Sequence, residues 1–130
     1  SDFVLDIPDY PIHVNGVPEY IAQLLDKLVD NAVEFSYSNE PIQVFCRTLR
    51  DHAVFKISNA GPYLPAEMKD RLFDSMISVR SQEKQRQPHL GMGLHIARII
   101  TDFHGGQIRA DNREDREGAV ITVVIPLFYR

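Results

Sequence analysis

The chain has 130 residues, 44% of them hydrophobic and 25% charged, and a formal net charge of −4. That length suits one domain, residues 1–130, with a real core. The acidic balance argues against a nucleic-acid or anionic-membrane surface, both of which need a dense basic patch. The single cysteine, Cys46, leaves no internal disulfide and no cysteine-based zinc site. No apolar run is long enough to span a bilayer and no signal-peptide pattern opens the chain, so the expectation is a soluble piece in a cytoplasmic setting without membrane insertion of its own.

Residues 3–14 carry short apolar runs broken by Pro8 and Pro11, which suits an edge strand or an extended lead-in. Pro18 fits the first turn of a helix. From there Ile21, Leu24, Leu25, Leu28, Ala32 and Phe35 draw a helical stripe, opposed by Gln23, Lys27, Asp30, Asn31 and Glu34. Residues 42–49 and 52–58 alternate around Arg50-Asp51, the signature of an antiparallel hairpin. Residues 59–65 read as a loop, and 66–73 as a short helix. Residues 74–87 are polar and without period, a length that in a compact domain marks a functional or mobile segment.

Gly91 and Gly93 then lead into a helix in which Leu94, Ala97, Ile100 and Phe103 recur, with Ile96 beside them and His95, Arg98 and Asp102 opposite. Gly105 or Gly106 supplies the left-handed residue that ends it. Residues 107–111 and 119–127 form a second hairpin. The order predicts an α+β two-layer sandwich: a mixed, mostly antiparallel sheet with about three helices on one face.

Chemistry concentrates at a few points. Glycines at a helix entrance let backbone N–H groups approach a phosphate at the positive end of the dipole, though they also serve tight turns. Asn31 sits on a polar helix face, where a carboxamide is either solvated or a ligand for a hard cation such as Mg²⁺. Asn59 either caps a turn or accepts a hydrogen bond. Lys27, Asn31 and Glu34, at steps of four and three, share one face.

Four segments now line up with a known family. Leu24-Leu25-Asp26-Lys27-Leu28-Val29-Asp30-Asn31-Ala32 resembles the N box of the GHKL ATP-binding superfamily. Ile57-Ser58-Asn59-Ala60-Gly61-Pro62-Tyr63-Leu64-Pro65 resembles its first glycine box, Arg71-Leu72-Phe73-Asp74 its F box, and His89-Leu90-Gly91-Met92-Gly93-Leu94 its second glycine box. The details are most similar to the catalytic, ATP-binding domain of bacterial two-component sensor histidine kinases.

The resemblance implies ATP and Mg²⁺ as cofactors, with Asn31 on the metal. It implies Asn59, Gly61, Tyr63 and Phe73 around the nucleotide, and Leu90, Gly91, Met92, Gly93 and Leu94 at the phosphates. It implies transfer of the γ-phosphoryl group to a histidine on a separate dimerisation domain, then to a response-regulator aspartate, in a homodimer linked to an inner-membrane sensor. Residues 74–87 correspond to the lid, where Arg80, Lys84 and Arg86 are candidate phosphate contacts.

The chain departs from the pattern at Lys27, usually a first Asn, and at Glu34, often a Lys. It departs again at Asn59, usually Asp, and at Tyr63 and His89, usually Gly. Lys27 is the candidate catalytic cation beside Asn31, with Glu34 balancing it or assisting the metal; alternatively both are solvated charges. None of His13, His52, His89, His95 and His104 is followed by an acidic residue, so the chain alone is expected not to autophosphorylate. Two other classes remain: an anti-sigma-factor-type serine kinase and a degenerate nucleotide-binding interaction module.

Overall fold

The computed structural model describes residues 2–37, 39–69, 71–74 and 88–127. Five strands, β1 (Phe3–Asp6), β2 (Ile42–Leu49), β3 (His52–Ala60), β4 (Gln107–Asn112) and β5 (Gly118–Pro126), form one sheet in the order β1-β2-β3-β5-β4. Only β1 runs parallel to its neighbour. Among the described residues two long helices, α1 (Pro18–Phe35) and α3 (Pro88–Phe103), and a single turn, α2 (Ala66–Lys69), accompany the sheet in an α+β sandwich. Among the described residues no helix is long and apolar enough to cross a membrane.

The core lies between the helix pair and one face of the sheet. Leu24, Leu28 and Ala32 of α1 and Leu94, Ala97 and Ile100 of α3 pack with Ile57, Ile121, Val123 and Ala110. Register explains the choice of face: Val44, Ile57, Ile121 and Ala110 stand opposite one another across four strands, so their side chains share a side. Burying a side chain such as Ile57 or Ile121 there contributes about 1.5–3 kcal/mol. The two-residue turn Arg50-Asp51 puts Arg50 at φ 57°, as a tight hairpin requires.

Helix α3 stops as its glycine pair demands. Gly105 takes φ +75°, while Gly106 N–H donates to Thr101 O at 3.0 Å and Gly105 N–H to Asp102 O at 3.0 Å. This is the Schellman arrangement, in which the first glycine, not the second, is left-handed.

Several expectations change. Strand β3 continues through Asn59 and Ala60, because both still pair with β5 opposite Ala119 and Gly118; the breakers Gly61 and Pro62 act only afterwards. The short helix closes at Lys69 instead of reaching residue 73. Helix α3 starts at Pro88, so Gly91 and Gly93 lie inside its first two turns and not ahead of it. Asn31 is buried, at 8% exposure, and not on a solvated face. Phe35 and Phe103 leave the apolar stripes and are exposed, whereas Thr101 and His104 are buried. The lid residues Arg80, Lys84 and Arg86 lie outside the described residues.

Candidate nucleotide-binding site

The two long helices run antiparallel, since the start of α1 meets the end of α3: Val17 N–H donates to His104 Nε2 at 3.1 Å. The N-terminal end of α3 therefore falls beside the C-terminal half of α1. A Cβ placed on Gly93 would lie 3.6 Å from Lys27 Cδ, so the Lys27 stem runs along the glycine-bearing turns. The first four N–H groups of a helix have no intrahelical partner. With Pro88 at the start of α3 and itself lacking an N–H, those donors belong to His89 and Leu90. This end also carries the positive pole of the dipole.

Asn31 and Ala32 are buried on α1 one turn before its end. Among the described residues the Asn31 carboxamide has no hydrogen-bond partner. An unpaired buried amide costs about 1–3 kcal/mol. A carboxamide oxygen is also a suitable ligand for a hard cation that takes its other ligands from phosphate and water. Among the described residues no three His, Cys, Asp or Glu side chains converge to hold a metal by themselves. The donor set thus fits Mg²⁺ carried in with a nucleotide.

Asn59 is buried at 5% exposure, and its Nδ2 donates to Phe35 O, the final carbonyl of α1, at 3.3 Å. A carbonyl only accepts, so the amide nitrogen must face it. The Asn59 Oδ1 acceptor is thereby turned away and left without a partner among the described residues. Gly61 fits under the same junction: a Cβ there would sit 2.1 Å from Phe35 O and 2.9 Å from Asn59 Nδ2. Tyr37 N–H donates to Ala60 O at 2.7 Å, stitching the end of α1 to the end of β3. The Tyr37 phenol is pushed above its usual range, by desolvation first and then by the Glu117 carboxylate it bonds.

The remaining predicted residues take different places. Tyr63 is half exposed on the loop after Gly61. Phe73 is packed into the core, and His95 Nδ1 donates to its carbonyl at 3.2 Å; Arg98 pairs with the adjacent Asp74 at 3.7 Å. Leu94 is a core side chain, so its contribution to a ligand is limited to backbone. Leu90, Gly91 and Met92 lie in the first turns of α3. Lys27 and Glu34 are half buried, with no ion-pair partner among the described residues.

Three contributors escaped the sequence reading. The Phe35 carbonyl had one signal, an amide where the resembling family carries a carboxylate. His95 looked like a polar-face residue. Asn112 ends β4, far along the chain from the loop it touches: Leu64 N–H donates to its Oδ1 at 2.7 Å, and its Nδ2 donates to Leu64 O at 3.2 Å.

Residues 16–128 match the histidine kinase-, DNA gyrase B- and HSP90-like ATPase family, and the chain belongs to it. It is similar to the sensor protein ChvG of Rhizobium meliloti (strain 1021), 32% identical over 123 residues, or 92% of this chain and 21% of ChvG. The catalytic domain of histidine kinase ThkA, in a nucleotide-free form, superimposes with a TM-score of 0.80 at 31% identity, over 96% of this chain and 78% of that one. ThkA in complex with the response regulator TrrA gives 0.78 at 30% identity, over 98% of this chain and 34% of that one. The particular type is therefore the catalytic ATPase domain of sensor histidine kinases. The chain spans about a fifth of ChvG.

Proposed function

We propose that this domain binds ATP with Mg²⁺ between α1, the start of α3 and the end of β3. It would present the γ-phosphoryl group to a histidine on a separate dimerisation domain of a homodimer. From there the group passes to an aspartate of a response regulator, with the domain on the cytoplasmic side of an inner-membrane sensor. The observation that carries this reading is the pair of buried carboxamides, Asn31 and Asn59, whose oxygens have no described protein partner. The match of ThkA, seen with the regulator TrrA, supports the choice of partner class.

The chain's own residues divide the work. Asn59 Oδ1 accepts from the adenine amino group, and Gly61 lets the end of β3 pass close under Phe35 O, where any side chain would collide, so that the Phe35–Asn59 bond can form. Tyr63 borders the loop, while Phe73 and Leu94 back the pocket from the core. The first turn of α3 offers backbone donors to the phosphates, and the glycine positions keep that surface open. Asn31 would hold Mg²⁺ brought in with the nucleotide, and the cation would supply charge neutralisation at the phosphates. Lys27, alongside Gly93, adds a cation, and Glu34 balances it from the next turn. In such transfers positioning and charge neutralisation supply most of the catalysis. Lys27 stands where water-activating members carry a Glu, so no general base for hydrolysis is present at that position.

Calorimetric titration with a non-hydrolysable ATP analogue tests the reading. Binding that requires Mg²⁺ is expected; heat-silent titration at millimolar analogue would overturn it. Incubation of the isolated chain with radiolabelled ATP is expected to leave every histidine unlabelled.

A further inference from the structure

Asn112 grips one residue twice, and does so across 48 positions of chain. Accepting from Leu64 N–H and donating to Leu64 O, its side chain imitates a strand neighbour and holds the loop of residues 61–65 against the sheet. Its neighbour Asp111 pairs with Lys69 Nζ at 3.3 Å, so consecutive β4 residues fasten both ends of the segment after Gly61. Register places the grip beside the base-reading residue. Asn59 stands opposite Ala119, and Ala119 opposite Asn112, so the three share one row and one face of the sheet. With strands spaced at about 4.8 Å, the Asn59 and Asn112 backbones lie about 10 Å apart, with Ala119 on the strand between them.

We propose that Asn112 is a positioning residue for the nucleobase, resting on the reading above that the base sits at Asn59. The clamp fixes the height of the loop over the row Asn59–Ala119–Asn112. A purine held under a fixed roof meets Asn59 Oδ1 in one orientation, so a 6-amino group, which donates, is accepted and a 6-oxo group, which only accepts, is refused. When the loop is released, the base shifts and this discrimination fades. Asn112 itself need not touch the nucleotide.

The test is calorimetric titration of the purified chain with ADP and with IDP, each with Mg²⁺, for the parent and for Asn112→Leu. The parent is expected to prefer ADP by at least tenfold. Asn112→Leu is expected to lose about tenfold in ADP affinity, with the ADP-to-IDP ratio falling towards one while the nucleotide-free melting temperature moves little. Asn112→Thr, which keeps one hydrogen-bonding group on a strand-compatible side chain, should fall between them and serves in its place should the Leu variant not fold. An unchanged ratio in the variants overturns the proposal, and so does an equal loss for both nucleotides that tracks a fall in melting temperature. A parent that binds neither nucleotide overturns the functional reading itself, and this proposal with it.

Discussion

The two ends of the helix pair bury polar side chains to the same depth and treat them in opposite ways. Where α1 begins and α3 ends, His104 is 8% exposed and both ring nitrogens are engaged: Nδ1 donates to Ile100 O at 2.8 Å, and Val17 N–H donates to Nε2 at 3.1 Å. Thr101, wholly buried beside it, donates to Ala97 O at 2.8 Å. Gly16 is small enough to let the His104 ring lie against it, since a Cβ there would come within 2.5 Å of the ring. At the opposite end Asn31 is also 8% exposed, yet it has no described partner, and Asn59 uses only its nitrogen. A buried polar group with every bond made stabilises the fold; one left open costs about 1–3 kcal/mol. That cost is offset when a ligand supplies the missing bond. The closed end is structure, and the open end is where we propose the site.

Substitutions at the two ends should therefore separate stability from binding. The largest effect is expected at the closed end. His104→Ala strands Val17 N–H and leaves a cavity, for a loss of about 2–4 kcal/mol. Thermal denaturation should register it as a fall of roughly 10 °C, with nucleotide affinity of the folded fraction within twofold of the parent. A large affinity loss at unchanged stability would erase the contrast between the ends.

Asn59→Asp sharpens it next. The substitution restores the residue usual in the family, yet here a carboxylate oxygen would face Phe35 O where an amide now donates. Stability should fall by about 1–2 kcal/mol in urea titration, and ADP binding should weaken. Tighter ADP binding by the Asp protein would show that Phe35 O does not orient Asn59.

Lys27→Ala should cost about tenfold in affinity for ATP–Mg²⁺, or about 1.4 kcal/mol, with little change in melting temperature. Parent-like affinity would leave Lys27 a solvated charge.

The smallest effect concerns the turn that borders the open end. In the β4–β5 turn Arg113 donates to both carboxylate oxygens of Asp115, at 2.9 and 2.8 Å. The hydrogen bond from Arg113 holds the exposed Asp115 carboxyl below its usual range. A depressed folded pKa contributes stability above the ordinary carboxylate value, lost as pH falls through the folded value. Asp115→Asn should thus melt slightly below the parent near neutrality, the difference closing as the solution is acidified below about pH 4. A gap that widens in acid would reverse the sign.

Much of the fold was legible because hydrophobic period speaks directly to element type. Both hairpins and both long helices follow from alternation or a 3.6-residue stripe. What escaped was polar burial. Thr101 and His104 satisfy themselves against their own helix and pack as apolar residues do, which no hydropathy pattern records. Asn31 sits on the nominally polar face of α1 and is buried there, while Gln23 and Asp30 of the same face stay exposed. Asn59 looked like a loop residue because Gly61 and Pro62 follow so closely, while its strand pairing to Ala119 depends on a partner sixty residues away. The boxes of the site were legible as residue types in order. The Phe35 carbonyl and the Asn112 grip were not, since both are contacts between distant parts of the chain.

The contrast between the ends rests on Asn31, and Asn31→Leu tests it in one thermal-denaturation experiment with and without saturating ATP analogue and Mg²⁺. Removing an open buried amide should raise the nucleotide-free melting temperature by about 3–6 °C and abolish most of the further rise that nucleotide gives the parent. A variant that melts below the parent without nucleotide, yet is stabilised by nucleotide as much as the parent is, would contradict the account.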